Sequence, residues 1–194
     1  MKLWAYALAA AALALPAARA STTTTVPGLV YTPGYGNSIV ASYDPQTLER
    51  SGPRLRLGGN ASSWSWSPRH RYLAVASYPQ RLTVLDPSSM RVVARIRIAD
   101  RGGVVRAVTW TRPDRVVALT DTPQGVLLST LDIGAGRAVG RALIPRTVAW
   151  RFDRVPGGLV FLFGRRGRIG PVGLAAVAAD GRLRTATIPQ VRAG

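Results

Sequence analysis

The stretch WSWSPRHRYLAVASYPQRLTVLDP, which runs from Trp64 to Pro87, contains the pattern that decides the fold. It holds two short apolar runs, LAVAS and LTVL, and each run is bounded by turn-forming residues. Apolar runs of this length between Pro, Ser and Asp residues are typical of short β-strands. The segment that follows, RVVARIRI (91–98), alternates with a period of two residues, which also predicts a strand rather than a helix.

The same order of features recurs further along the chain. Each copy has a strand with a tryptophan, a polar turn, two apolar runs separated by a turn, an aspartate turn and a final alternating strand. The tryptophans are Trp66, Trp110 and Trp150, and the aspartates are Asp86, Asp132 and Asp180. A partial copy with Asp44 precedes them and lacks a clear tryptophan strand. Four strands in a period of about 40–45 residues are typical of a β-propeller blade.

The sequence therefore predicts an all-β chain, a β-propeller with about four blades, each a four-stranded antiparallel sheet. A β-sandwich also uses many short strands, but it does not require the same order of features in every unit. The predicted units span residues 28–59, 60–103, 104–145 and 146–194. Because the chain stops where a further blade would begin, we expect an incomplete ring, through truncation of the reading frame after Gly194. Two self-associating chains that close one ring are the less favoured alternative.

The first twenty residues predict an export signal. Lys2 supplies a positive start, residues 3–15 form an uncharged apolar run, and Ala18-Arg19-Ala20 matches a signal-peptidase site. The apolar run is shorter than the roughly 20 residues that a membrane span needs. We expect cleavage after Ala20, a flexible lead-in at residues 21–27 and no transmembrane segment in the cleaved chain. The predicted location is secreted, periplasmic or in the cell envelope.

The repeated residues have structural interpretations. A tryptophan at the same place in every blade predicts an apolar plug between neighbouring blades. An aspartate at the start of each late turn predicts a turn former, because its carboxylate accepts hydrogen bonds from backbone N–H groups two residues on. Isolated aspartates, one in each blade, do not cluster as calcium ligands must.

Charge is the strongest indication of a partner. The chain has 26 basic and 9 acidic residues and a formal net charge of +17, which attracts polyanions. Many arginines fall on the predicted fourth strands, where charge keeps an exposed edge from pairing with another chain. These are Arg54, Arg56, Arg91, Arg95, Arg97, Arg137, Arg141, Arg182 and Arg184. Because nucleic-acid sites need clustered charge with interleaved aromatic residues, this spread disfavours a nucleic-acid partner.

A second basic set falls in loops that open on one face of a propeller. The candidate binding residues are Tyr35, Tyr78, Arg81, Arg101, Arg165, Arg166 and Arg168. They predict an anion site for a protein or an anionic cell-envelope polymer. A solvated loop surface with no ligand is the alternative that the residues leave open.

Catalytic patterns are weak in this sequence. It has no cysteine, one histidine (His70) and one glutamate (Glu49), and it lacks the G-x-S-x-G pattern and the phosphate-binding loop with its lysine. We therefore predict no catalytic residue, no metal ligand and no cofactor, and a non-enzymatic binding or scaffold module. The alternative is an exported hydrolase or lactonase-like enzyme with its site in the central channel of the full ring.

Two segments carry a resemblance to known families. WSPRHRYLAVAS (66–77) resembles the WSPDGRxLAxxS unit of WD40-like bacterial propellers, and RLTVLDPSSMRVVARIRI (81–98) is similar to the unit of YVTN and quinoprotein amine dehydrogenase-like propellers. The resemblance covers most of residues 28–194 and implies a secreted bacterial β-propeller. It implies little about function, because binding, scaffolding and enzymatic proteins share this fold. Arg69-His70 replaces the usual Asp-Gly, which we expect to change a turn and not the fold.

Overall fold

A computed structural model of the chain describes residues 26–30, 38–44, 46–99, 102–168, 170–178 and 180–188. Fifteen strands arrange these residues into four antiparallel sheets, and one turn of 3₁₀ helix, Pro68–His70, joins β4 to β5. In chain order the strands are β1 (Val26–Val30), β2 (Ile39–Tyr43), β3 (Arg50–Arg56), β4 (Ala61–Trp66), β5 (Leu73–Ser77), β6 (Arg81–Asp86), β7 (Arg91–Arg97), β8 (Val104–Arg112), β9 (Arg115–Thr122), β10 (Gly125–Asp132), β11 (Arg137–Pro145), β12 (Thr147–Val155), β13 (Gly158–Arg165), β14 (Pro171–Val177) and β15 (Leu183–Thr187).

Each sheet is built from consecutive strands that pair with their neighbours in sequence. The first sheet is β1-β2-β3, and the second, third and fourth sheets are β4 to β7, β8 to β11 and β12 to β15. The second, third and fourth sheets have the four up-and-down strands predicted for a propeller blade, and the first sheet has three among the described residues. Because β1 begins at Val26, the last two residues of the predicted lead-in at 21–27 belong to the first sheet. The predicted signal at residues 1–20 lies outside the described residues.

The second strand of a sheet is buried on both of its faces, as β5 shows. Leu73 and Val75 face the first sheet, while Ala74 and Ala76 face the third. A strand buried on both sides reads as a continuous apolar run, which is why LAVAS contains no charged residue.

Three clusters of buried apolar side chains fill the spaces between consecutive sheets. Val40 and Leu85 belong to the cluster between the first two sheets. Leu82 and Val108 belong to the cluster between the second and third sheets, and Phe161 joins residues of the third sheet in the last cluster. The core therefore consists of interfaces between neighbouring sheets, each supplied by only two of them.

The last strand of each sheet carries exposed arginines, as predicted. Arg54 and Arg56 lie on β3, Arg91, Arg95 and Arg97 on β7, Arg137 and Arg141 on β11, and Arg184 on β15, whereas Arg182 comes just before β15. These side chains lie on the outer strand of a sheet, where charge opposes pairing with another chain.

The aspartate turns are confirmed. Oδ1 of each predicted turn former accepts a backbone N–H group two or three residues on: Asp44 from Gln46 at 2.7 Å, Asp86 from Ser88 at 2.8 Å, Asp132 from Ala135 at 2.8 Å, and Asp180 from Arg182 at 2.9 Å. At Asp86 the hydroxyl of Ser88 also donates to the carboxylate, at 2.6 Å, and this bond holds the pKa of Asp86 below its ordinary value.

The tryptophan prediction holds for two positions and is wrong for the third. Trp110 is 4% exposed, and its Nε1–H group donates to the carbonyl of Ser65 at 3.0 Å. Trp66 packs against the cluster between the first two sheets. Trp150 is 45% exposed, because it occupies a β-bulge in β12 and lies over Gly164 instead of between sheets.

The conformation of the Arg69-His70 turn explains why these residues can replace the usual Asp-Gly. Arg69 and His70 have φ values of 62° and 53°, the left-handed region that Asp-Gly turns also use. The ring of His70 meets Trp66 edge-on, with the ring centroids 5.7 Å apart. The replacement therefore keeps the turn conformation, and β4 and β5 remain paired on either side of it.

Candidate functional site

The strand ends define two faces of the molecule. The upper face carries the β5–β6, β9–β10 and β13–β14 turns together with the connections between sheets. Hydrogen bonds join these segments to one another: Gln80 Nε2 donates to the carbonyl of Gly103 at 2.8 Å, and the Arg146 N–H group donates to the carbonyl of Gln124 at 2.8 Å. The turns between the second and third strands of a sheet and the connections between sheets therefore open on the same face in the described residues, as predicted.

Four arginines surround a depression of about 650 Å³ on the upper face, here named the arginine groove. The groove is lined by Arg146, Arg165, Arg166 and Arg168 together with Pro145, Thr147, Phe163, Val172 and Thr187. All four arginines are exposed to solvent. None of the described residues that line the groove carries a carboxylate, so its charge is uniformly positive.

The arginine groove is held in place by the short connection between β11 and β12. Arg146 occupies this connection with φ of 59°, and its carbonyl accepts the N–H group of Arg166 at 3.0 Å. Nη2 of Arg166 reaches the carbonyl of Thr122 at 2.6 Å, which ties the β13–β14 turn to the third sheet. Arg166 is thus partly structural, whereas Arg165 and Arg168 present their guanidinium groups to solvent.

A second basic depression, of about 620 Å³, lies at the upper end of the second sheet. It is lined by Pro79, Gln80, Arg81, Arg95, Ile96 and Arg97. Tyr78 is in the turn beside it and is 68% exposed.

The structure therefore sorts the predicted site residues into two groups. Tyr78 and Arg81 lie together on the second sheet, and Arg165, Arg166 and Arg168 lie together on the fourth. Tyr35 and Arg101 lie outside the described residues.

Acidic residues are distributed unequally between the two faces. Among the described residues, Asp121 is the one carboxylate at an upper strand end, and it is buried. It accepts Nε–H of Arg106 at 2.7 Å and the N–H group of Ala149 at 2.8 Å. The others lie towards the lower ends of the strands: Asp44, Glu49, Asp86, Asp114, Asp132, Asp153 and Asp180. The described upper face therefore presents arginines without an exposed carboxylate.

A further arginine, Arg154, lies where the first strands of the second, third and fourth sheets meet; we call these the inner strands. The sequence analysis missed this residue. Nε of Arg154 donates to the carbonyl of Val108 at 3.1 Å, and Nη2 donates to Oγ of Ser63 at 3.2 Å. The guanidinium also lies over the ring of Trp64, with Cζ 5.9 Å from the centroid. Arg154 follows Trp110 by 44 residues, the same interval that separates Trp66 from Trp110. This regular interval is the sequence signal that could have identified Arg154.

Burial disfavours the charged form of Arg154 and lowers its pKa below the ordinary value of arginine. The guanidinium still carries its charge at any physiological pH, because the starting pKa is so high. Arg154 is thus a solvent-exposed cation, like the arginines of the groove, but part of its side chain is buried against neighbouring strands.

Two other features, a metal site and a helical membrane span, are absent from the described part of the chain. It contains no group of three or more His, Asp or Glu side chains placed to hold a metal ion. Within the same residues, none of the helical structure is long and apolar enough to span a bilayer.

No family model matches the sequence, and no curated protein matches it either. Solved structures match the fold. The WD40 domain of coronin from Toxoplasma gondii has a TM-score of 0.62 at 19% identity, over 82% of this chain and 44% of that one. BamB from Moraxella catarrhalis has a TM-score of 0.58 at 11% identity, over 85% and 50% of the two chains. U3-55K has a TM-score of 0.57 at 10% identity, over 84% and 52%.

These similarities show the β-propeller fold, and at such low identity they show the fold alone. The chain spans about half the length of the structures it matches. Its four sheets are consistent with part of a propeller ring.

Proposed function

We propose that this chain is an exported, non-enzymatic β-propeller module that binds an anionic partner, a protein or a cell-envelope polymer, at the arginine groove. The observation that carries the proposal is the convergence of four arginines around one depression whose described lining has no carboxylate. Like charges held close together repel one another, and an anion bound between them removes that repulsion. Guanidinium groups also form the strong, paired hydrogen bonds that carboxylates and phosphates accept.

The rest of the upper face supports this proposal. The one described carboxylate at an upper strand end, on Asp121, is already bound to Arg106. The second depression, with Arg81 and Arg95, adds positive charge on the same face. A long anionic partner would therefore meet a favourable potential before it reaches the groove.

Binding is tested with two probes of different origin. Poly-L-glutamate represents an acidic protein segment, and poly(glycerol phosphate) represents an anionic envelope polymer. We expect the full-length chain to bind at least one of them at low salt, and the tighter probe identifies the class of partner. We expect Arg165→Ala/Arg168→Ala to weaken that binding about tenfold, because two exposed charges leave the groove. This double variant keeps the bond between Arg166 and Thr122.

The matched control is Arg137→Ala/Arg184→Ala, which removes the same charge from outer strands away from the groove. We expect it to weaken binding less than twofold. Equal weakening by both double variants would mean that net charge alone attracts the probes, and the proposed site would then be wrong. Thermal unfolding of each variant shows whether the fold is kept.

Export is the second part of the proposal, and it rests on the sequence of residues 1–20. Expression of the full-length chain in a bacterial host should give a processed product outside the cytoplasm whose N-terminal sequence starts at Ser21. Replacement of Ala18 and Ala20 by bulky residues should abolish that cleavage. An unprocessed cytoplasmic product from the unaltered chain would contradict export.

A further inference from the structure

We propose that Arg154 and Trp64 form a carboxylate-binding site on the inner strands, separate from the arginine groove. Arg154 lies on β12, Trp64 and Ser63 lie on β4, and Val108 lies on β8, so the site is built from the second, third and fourth sheets. It lies towards the lower ends of β4 and β12, whereas the groove lies on the upper face.

The first feature of this site is the charge of Arg154. Arg154 is exposed to solvent, but burial of part of its side chain disfavours the charged form, so an anion beside the guanidinium would compensate its charge. Arg106, another inner-strand arginine, has that compensation from Asp121 at 2.7 Å. Arg154 has one carbonyl and one hydroxyl as hydrogen-bond partners and, among the described residues, no carboxylate. A bound carboxylate would supply the compensation that Arg154 lacks.

The second feature of this site is the geometry of its hydrogen-bond donors. The contacts to Val108 and Ser63 use Nε and one N–H of Nη2. Both N–H groups of Nη1 and the second N–H of Nη2 have no partner in the described part of the chain. These N–H groups can donate two parallel hydrogen bonds to the two oxygens of one planar carboxylate. A single guanidinium matches a monoanion, whereas a phosphate dianion would need further donors.

The third feature of this site is the apolar surface beside Arg154. The indole of Trp64 lies under the guanidinium and is 42% exposed, so apolar surface lies beside the charged donors. The matching ligand is a carboxylate joined to an apolar group, either a small free acid or the C-terminal carboxylate of a peptide. A large apolar side chain next to that carboxylate would cover the exposed part of the indole.

The test titrates the full-length chain with matched acids and amides. The small probe is 3-phenylpropionate with 3-phenylpropionamide as its neutral counterpart, and the peptide probe ends in phenylalanine, as the free acid or as the amide. The readout is the ¹H–¹⁵N indole signal of Trp64, assigned with Trp64→Phe. We expect both acids to shift this signal and the amides to leave it unchanged. The acid that binds more tightly identifies the source of the carboxylate.

Two variants locate the binding. We expect Arg154→Gln to weaken binding of the acids at least tenfold, and Arg151→Gln, which removes the same charge from an exposed position on the same strand, to change it less than twofold. Arg154→Lys keeps the charge without the planar fork and should bind with intermediate affinity. If Arg154→Gln fails to fold, Arg154→Lys and the comparison of acid with amide still decide the question.

The proposal is overturned if the amides shift the Trp64 signal as the acids do, or if Arg151→Gln weakens binding as much as the Arg154 variants. Saturation with the acids that causes no Trp64 shift also overturns it. The groove variant Arg165→Ala/Arg168→Ala should leave acid binding unchanged, so that failure at one site is distinguishable from failure at the other.

Discussion

At the scale of single residues, Trp110 and Arg154 occupy the same place in consecutive sheets but contact the preceding sheet through different chemistry. Trp110 buries its indole against the second sheet and donates one hydrogen bond to the carbonyl of Ser65. Arg154 donates to the carbonyl of Val108 and to Ser63, and it remains exposed to solvent. The interface before the third sheet is therefore apolar at this point, and the interface before the fourth is polar.

This difference predicts unequal costs for two tryptophan substitutions. Trp110→Leu should lower the free energy of unfolding by about 3 kcal/mol, because it leaves a cavity between two sheets and an unpaired carbonyl at Ser65. Trp150→Leu should cost about 1 kcal/mol or less, because almost half of this side chain is already in water. Urea unfolding followed by circular dichroism measures both values. Equal losses would mean that Trp150 is also an interface plug.

Asp86 provides a prediction about pH. The hydroxyl of Ser88 lowers the pKa of this carboxyl group below its ordinary value of 3.8, so Ser88→Ala should raise the pKa towards that value. A lowered pKa means that the turn is stabilised above pH 3.8 and loses this contribution as the pH falls through the lower, folded-state value. Titration of the carboxyl carbon by NMR measures the change. Ser88→Thr keeps a hydroxyl and serves as the control; a rise in pKa there as large as in Ser88→Ala would contradict the assigned cause.

At the scale of strands, the carboxylate of Asp121 joins three of them. It lies near the end of β9 and accepts hydrogen bonds from Arg106 on β8 and from the N–H group of Ala149 on β12. This buried carboxylate thus connects the third and fourth sheets in addition to their apolar cluster.

Removal of this group should weaken the connection between the two sheets. Asp121→Ala leaves the N–H group of Ala149 without its acceptor and should cost about 2 kcal/mol of unfolding free energy. Amide hydrogen exchange at Ala149 should become faster, because its protecting bond is lost. Asp132→Ala, which removes a turn former on the lower face of the third sheet, is the control and should leave exchange at Ala149 unchanged. Unaltered exchange in Asp121→Ala would contradict the role of this carboxylate.

Sequence patterns predicted the local features of these strands and turns and missed the contacts between residues that are distant in the sequence. Period-two alternation and turn residues determine structure within a few neighbouring positions. The strands and the aspartate turns could therefore be predicted from the sequence. Arg154 and Asp121 act on residues 46 and 28 positions away, and no local pattern marks such pairs. The bulge at Trp150 misled the comparison of repeats, because it places a tryptophan near the expected position but turns it away from the interface.

At the scale of the whole molecule, the two faces differ in charge. Exposed arginines dominate the upper face, and the described exposed carboxylates lie towards the lower ends of the strands. A fixed asymmetry of this kind would attract an anion to the upper face, in line with the proposed function. The proposed anion site at the arginine groove and the proposed carboxylate site at Arg154 thus lie on opposite sides of the molecule.

The net charge of +17 also predicts how salt changes the stability of the folded chain. Compact folding holds the arginines closer together than the unfolded chain does, so their repulsion destabilises the folded state. Raising NaCl from about 0.1 M to about 1 M shortens the screening length from about 10 Å to about 3 Å and should raise the unfolding free energy by about 1 kcal/mol. Urea unfolding at each salt concentration measures this change.

Salt also strengthens apolar burial, and a variant with fewer charges separates the two effects. The substitutions Arg91→Gln, Arg95→Gln, Arg137→Gln and Arg184→Gln remove four exposed charges from outer strands. Because repulsion grows with net charge, this variant should be more stable than the unaltered chain at low salt and should gain less from added NaCl. An equal salt response in both proteins would attribute the stabilisation to apolar burial and would exclude charge repulsion as its cause.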